Sequence, residues 1–286
     1  MIWLIGCNGM LGAELFALLG KTKIHCVGTD MEVDITDPSA LGGFADGKPI
    51  EWVVNCAAYT AVDQAEDDAE NCRRLNALGA ANIAACAKTI GAGVVHISTD
   101  YVFDGNGTAP YREDEATNPI GIYGRTKLEG ELAVTGNNPR SYIIRTAWLY
   151  GLYGKNFVST MLKLMSERDE IKVVDDQWGS PTWAFDLANV IIKFIGAEKP
   201  YGIYHYANEG NITWFDFARE IYRLGKELGL VRGDCNVVPC SSLEYPARVR
   251  RPAFSVLDKT KIKSAFGIAI PGWDKSLKEY LETCAL

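Results

Sequence analysis

The sequence predicts an α/β fold in which a doubly wound parallel sheet, helix-covered on both faces, is followed by a smaller C-terminal lobe. Three observations carry this expectation. Short apolar runs recur through the first half without polar alternation, the pattern of strands buried on both faces. Helical stretches separate them, and strand–helix alternation of this kind builds open parallel sheets. A glycine-spaced turn joins the first run to the first helix.

In order, strands are expected at residues 2–5, 24–27, 52–56, 94–97 and 142–144, with helices at 10–19, 65–88 and 124–133. Past residue 150 the rhythm loosens. Amphipathic helices are expected at 157–168, 185–195 and 214–228, interrupted by turn-rich pieces at 175–182, 208–211 and 248–252. Residues 1–150 therefore read as one domain and 151–286 as a smaller lobe. The boundary between them is soft and leaves room for exchanged strands. A ligand of such a sheet sits beyond the carboxyl ends of its strands, where the second lobe would roof it.

The chain of 286 residues is long enough for this arrangement, and 48 % hydrophobic with 23 % charged residues is ordinary globular composition. A net charge of −7 with no dense Lys/Arg cluster argues against nucleic acid or an anionic membrane as partner. Three histidines without metal spacing and eight cysteines without a CxxC pair argue against zinc. The chain enters an apolar strand without the basic n-region of a signal peptide. No apolar run approaches the roughly 20 residues of a membrane span. The expected location is the reducing cytoplasm.

Gly6-Cys7-Asn8-Gly9-Met10-Leu11-Gly12 follows the first strand and opens the first helix. Gly6 permits a tight turn, Gly9 a close approach of backbone to pyrophosphate, and Gly12 close helix–strand packing. Free N–H groups at the helix start face phosphates. The residues of this turn are thus candidates for holding a dinucleotide, and the fold reads as Rossmann-like. Asp30 closes the second strand, about twenty residues on, where an acid accepts hydrogen bonds from ribose hydroxyls. No arginine follows it closely, so this chemistry leans toward NAD.

Tyr123 and Lys127 have the YxxxK spacing that sets phenol and ammonium on one helix face. Ketone reduction needs a proton donor at the oxygen that gains charge, and a nearby cation is expected to tune the phenol downward. With 13 tyrosines in the chain, the spacing also recurs at Tyr222 and Lys226. That second pair lies in a far-lobe helix, whereas Tyr123 follows the strand ending in Thr99. Thr99 is placed to hydrogen-bond a substrate carbonyl. Arg251, in Arg248-Val249-Arg250-Arg251-Pro252, is extended by the following proline and suits a diphosphate.

Together, Gly6–Gly12, the segments 55–63 and 98–105, Tyr123–Lys127, Arg145–Gly151, Asp176–Thr182 and Arg251–Ser255 resemble the dTDP-4-dehydrorhamnose reductase family of extended short-chain dehydrogenases/reductases. The resemblance runs almost end to end. It implies reduction of the C4 keto group of dTDP-4-dehydro-L-rhamnose by NADPH, often NADH, for surface polysaccharide. It makes Tyr123 the proton donor, Lys127 its modulator and ribose partner, and Thr99 the carbonyl ligand. Asp100, Tyr101 and Trp148 would contact the sugar. Asp34 and Ile35 would lie near the adenine, and Ala57, Ala58 and Tyr59 along the cofactor path. The family's usual Asn-Val before the catalytic tyrosine is Gly121-Ile122 here. Some members form homodimers around Mg2+ through glutamates, for which Glu14 is the one matching candidate.

Two other functions share the resemblance. Nucleotide-sugar dehydratases typically carry Asp-Glu after the threonine, and Asp100-Tyr101 stands here instead. Epimerases and other nucleotide-sugar reductases remain alternatives. A non-catalytic regulatory subunit similar to that of methionine adenosyltransferase is the third reading, which an intact Thr99/Tyr123/Lys127 set disfavours.

Overall fold

The computed structural model describes residues 1–244 and 248–285. Its main sheet consists of β1 (Ile2–Ile5), β2 (Cys26–Thr29), β3 (Trp52–Asn55), β4 (Gly93–Thr99), β5 (Ser141–Thr146) and β6 (Gly202–His205). Their spatial order is β6-β5-β4-β3-β1-β2, all parallel. The order reverses beside β1, which pairs with β2 on one side and β3 on the other, and ligands of open α/β sheets sit at such a point.

Each strand alternates its side chains between two helical layers. On one face Leu4, Val54 and Ile144 pack with Leu11 and Leu15 of helix Met10–Leu19 and with Leu187 and Ile191 of helix Ala184–Phe194. On the other, Trp3, Val53, Val94 and Ile143 meet Leu41, Ile83 and Val134. Burial on both sides is why these strands read as unbroken apolar runs.

A second apolar core, in which Val158, Met165, Phe217, Ile221, Leu277 and Leu281 take part, joins helices Phe157–Glu167, Trp214–Glu227 and Trp273–Cys284. Strand β6 and helix Ala184–Phe194 come from beyond residue 150 yet belong to the main sheet and its cover.

Several elements depart from the sequence reading, among them strand β6 and helix Trp273–Cys284, which it did not contain. The second strand begins at Cys26, because Ile24 is exposed and its amide is drawn to the Thr22 hydroxyl (3.1 Å). Residues 65–88 are not one helix: Ala69–Arg73 passes through π-turns at Arg74–Gly79 into Ala80–Thr89. Such widened turns re-aim side chains, and here Asn76 points at the Tyr59 loop, accepting from its N–H (2.8 Å) and donating to its C=O (3.1 Å). Helix Pro38–Ala45 was not anticipated. It is short and carries Gly42 and Gly43, but Asp37 caps the Ser39 N–H (2.8 Å) and Pro38 pre-sets its first turn.

Candidate functional site

Strand register brings the candidate residues together. Ile5 is level with Thr29 and Asn55, and Thr99 with Thr146. The chain therefore leaves the sheet at Gly6, Asp30, Cys56, Asp100 and Ala147 along one edge. A cleft of about 1000 Å³ opens there, at the upper end of the range for small-molecule sites. Its wall includes Gly6, Asn8, Gly9, Met10, Leu11, Asp30, Asp34, Ile35, Ala57, Ala58, Thr99, Asp100, Tyr101, Tyr123, Lys127 and Trp148.

The glycine turn is built for backbone proximity. Gly6 has φ +79°, and a Cβ there would meet the Ala57 nitrogen at 2.7 Å. A Cβ on Gly12 would strike the Gly6 carbonyl oxygen, so Gly12 lies behind the wall and holds the helix against the turn. The Asp30 carboxylate accepts from the Asn8 and Met31 amides (2.9 and 3.0 Å) and thereby ties the turn to the end of β2. Asp34 accepts from the Thr36 amide and hydroxyl (2.8 and 2.7 Å), bonds that hold its carboxyl below its usual pKa. These groups fit a dinucleotide's ribose and phosphates: a backbone cradle kept open at Gly6 and Gly9, bordered by acceptors for hydroxyls.

At this end the structure adds Arg74, which the sequence reading missed. Its guanidinium bonds to Asn71 (3.0 Å) and it shares the cleft wall with Asp30 and Asp34. The π-turn that begins at Arg74 is far from Asp30 in sequence, so spacing offered no signal. Tyr59, by contrast, is not in the wall; its backbone is tied to Asn76 instead.

At the other end Thr99 closes β4. Its hydroxyl donates to Asp100 Oδ1 (3.0 Å) and accepts from the Tyr101 amide (3.2 Å), capping the turn that follows. Tyr123 lies in the first turn of helix Ile122–Asn137 and meets Tyr101 edge-on at 5.6 Å. Gly124 permits this: a Cβ there would collide with the Tyr101 carbonyl. One turn on, Lys127 Nζ donates to the Ile97 carbonyl (2.6 Å).

Burial governs the charges. It pushes the Tyr123 phenol above its usual pKa, against a smaller downward pull from Thr99. Downward tuning by Lys127, anticipated from the sequence, is not what this cleft shows, because desolvation dominates. Burial also lowers the Lys127 ammonium to about 8, partly offset by Glu131. Asp100 is raised to about 6 by burial, and its Oδ2 is buried without a hydrogen-bond partner.

Trp148 has a positive φ of 47°, uncommon for a bulky residue, and its ring stacks on Trp214 at 3.6 Å. Trp148 is part of the cleft wall. Arg251 stands just outside the wall. It pairs with Asp63 (2.5 Å) and donates to the Tyr101 hydroxyl (3.2 Å).

Tyr222 and Lys226 serve elsewhere: the Tyr222 hydroxyl accepts from the Cys235 amide (3.2 Å), and Lys226 pairs with Asp234 (2.9 Å). Glu14, the candidate for a shared Mg2+, is buried, with its carboxyl pushed up by desolvation. Among the described residues no group of three His, Cys, Asp or Glu side chains is placed to hold a metal. No described helix is long and apolar enough to cross a membrane.

The family model of the RmlD substrate binding domain matches residues 1–286. A dTDP-4-dehydrorhamnose reductase of Aggregatibacter actinomycetemcomitans is 37 % identical, covering 96 % of this chain and 95 % of the relative. The spore coat polysaccharide biosynthesis protein SpsK of Bacillus subtilis is 42 % identical, covering 97 % and 95 %. Among solved structures, the dTDP-4-dehydrorhamnose reductase of Bacillus anthracis in complex with NADP superposes with a TM-score of 0.93, at 37 % identity over 99 % and 98 % of the chains.

Proposed function

Because the chain belongs to the RmlD substrate binding domain family, we propose that it reduces dTDP-4-dehydro-L-rhamnose to dTDP-L-rhamnose, using NADPH or NADH, in surface polysaccharide precursor synthesis. The observation that carries this reading is the convergence of Thr99, Tyr123 and Lys127 on the cleft that also holds the glycine turn. All eight cysteines are unpaired, which suits work in the reducing cytoplasm.

When bound, the dihydronicotinamide supplies the hydride that reaches the C4 carbonyl carbon. The protein's part is the proton. Charge builds on the carbonyl oxygen, and Thr99 Oγ1 turns from Asp100 to donate to it. Tyr123, fully protonated at neutral pH because burial raises its pKa, gives its phenolic proton to the same oxygen. The Lys127 ammonium then faces the phenolate and stabilises it until solvent reprotonates it. Asp100, in the cleft wall, faces the sugar, and Trp148 and Tyr101 bound the ring.

Purified protein mixed with the dTDP-4-keto sugar and either dinucleotide tests this. Loss of reduced-dinucleotide absorbance only when the sugar is present is expected; none with either cofactor overturns the reading.

Two substitutions probe the ends of the cleft. Asp30→Asn removes a carboxylate that accepts from ribose hydroxyls but repels a 2′-phosphate. It should weaken NADH and relatively favour NADPH, as read by binding titrations; equal affinities before and after make Asp30 a turn residue only. Arg251→Ala should raise KM for the nucleotide sugar tenfold or more, since a charge-assisted bond contributes about 1.5–3 kcal/mol. Dinucleotide affinity should hold. An unchanged KM, or an equal loss for the dinucleotide, places Arg251 outside the substrate site and leaves it the Asp63 clasp alone.

A further inference from the structure

Behind the cleft lies a buried charged group that the proton transfer does not touch. Tyr123, Lys127 and Glu131 are spaced four apart on helix Ile122–Asn137 and so share one helix face. Glu131 and Arg145 are each 2 % exposed and meet in a forked pair, Nη2 to Oε2 at 2.7 Å and Nε to Oε1 at 2.9 Å. Ser98 donates to the same Oε1 at 2.5 Å. Ser98 and Arg145 are direct partners across β4 and β5, so both side chains leave the sheet on the helix side and reach the carboxylate together. The next residues along these strands, Thr99 and Thr146, line the cleft.

A buried ion pair is poor evidence of net stabilisation, because desolving two charges offsets most of their attraction. Two apolar side chains of similar volume would fill the space as well. What the pair does here is fix a carboxylate one helical turn beyond Lys127. Both Glu131 oxygens are saturated by Arg145 and Ser98, so the carboxylate is not free to swing onto the ammonium and draw it from Tyr123. Lys127 is instead anchored by the Ile97 carbonyl, with its charge favoured by Glu131 at a distance.

Apart from Asp100, which burial raises only to about 6 and which keeps most of its charge at pH 7, the other groups around Lys127 are neutral. Cys56 and Cys72 have thiols raised by burial, Cys56 to about 12. His96, bonded through Nδ1 to Asn55 (3.0 Å), is held uncharged by burial. Tyr123 keeps its proton. His205, beside Arg145, is lowered to about 3 by burial and contributes no charge. Asp100 faces Tyr123 from beyond β4. Glu131 is thus the anion on Lys127's own helix face, and Arg145 the cation that immobilises it.

We propose that Glu131, locked by Arg145 and Ser98 one helical turn beyond Lys127, is a positioning residue for the reduction, holding a fixed carboxylate on the helix face that carries Lys127 and Tyr123. The inference rests on the reductase reading above for its kinetic consequence, but its effect on Lys127 is readable without turnover.

The test is the titration of Lys127, followed by NMR of 13C-lysine-labelled protein, alongside the pH dependence of kcat. Lys127 is active when protonated, so activity is retained below its pKa and lost as pH rises through about 8. Removing a nearby opposite charge lowers a lysine pKa, typically by about 1–3 units. Glu131→Gln should therefore shift both the NMR titration and the alkaline limb of kcat down by about one unit or more, with both KM values nearly unchanged. Glu131→Asp, which keeps the charge, should bring both back toward the wild type. Should Glu131→Gln fail to fold, the double variant Glu131→Gln/Arg145→Gln carries no buried charge at the pair and should still shift the titration down, by less than the single variant because the opposing Arg145 cation is lost with the carboxylate. A Lys127 titration that stays at the wild-type position in the folded variants overturns the proposal, and the pair is then structural only. A wild type without turnover but with the expected titration shift overturns the reductase reading and leaves the positioning of Lys127 standing.

Discussion

Tyr123→Phe turns over at least about 10²-fold more slowly than the wild type, the loss expected when a general acid is removed, while dinucleotide affinity is unchanged. The substitution takes away one oxygen and little else. The ring keeps its edge-on contact with Tyr101 at 5.6 Å, and Gly124 still lets the helix lie against the Tyr101 carbonyl. No other phenol takes over the role: Tyr101 is committed to Arg251 at 3.2 Å, and burial raises its pKa as well. Tyr222→Phe is the control. It removes an acceptor for the Cys235 amide and should leave kcat alone. Steady-state kinetics of the two variants decide the matter, and a Tyr123→Phe enzyme within a few-fold of wild type assigns the proton to another group.

Arg145→Gln lowers the unfolding free energy by about 3–5 kcal/mol, the usual cost of leaving one member of a buried ion pair alone. The guanidinium is enclosed by Glu131, by the Phe103 ring at 5.2 Å and by His205 at 3.5 Å. Without it, the Glu131 carboxylate keeps only Ser98 as a close partner. Glu131→Gln/Arg145→Gln replaces both charges with amides able to bond one another, and should recover most of the loss. Urea unfolding of the single and double variants measures both quantities. A single-variant loss below about 1 kcal/mol would place the pair among weak surface-like bridges and remove the rigid carboxylate on which the positioning of Lys127 depends.

Much of this architecture was legible in the sequence because burial leaves a one-dimensional trace. Ile2–Ile5, Trp52–Asn55 and Met10–Leu19 lie where apolar periodicity placed them, since strands covered on both faces admit few polar residues. Strand Gly202–His205 was harder: its His205 is buried and neutral, and a histidine inside a four-residue run weakens the apolar signal. Gly6, Asp30 and Thr99 were legible by position, each lying within three residues of the end of an apolar run. Contacts between elements were not. Arg145 interrupts an apolar strand, and nothing in spacing reveals that Ser98 faces it or that Glu131 meets both. Arg74 enters the dinucleotide end of the cleft only because the chain between Asp30 and Asn76 folds back over it. The charge state of Tyr123 also escaped: spacing shows that a lysine is near, whereas desolvation, which sets the direction of the shift, depends on everything packed around it.

The most direct measurement is turnover of dTDP-4-dehydro-L-rhamnose with NADPH in D2O, with the product examined by NMR and mass spectrometry. Reduction by this cleft delivers the solvent-derived proton to oxygen alone. One dTDP-L-rhamnose should therefore form per NADPH oxidised, with protium at C4 and no carbon-bound deuterium beyond that of an enzyme-free control. Enzyme-dependent deuterium at C3 or C5, or sugar consumed without oxidation of the dinucleotide, means that the site works on carbon-bound protons, as an epimerase or dehydratase does, and contradicts the roles given to Thr99, Tyr123 and Lys127.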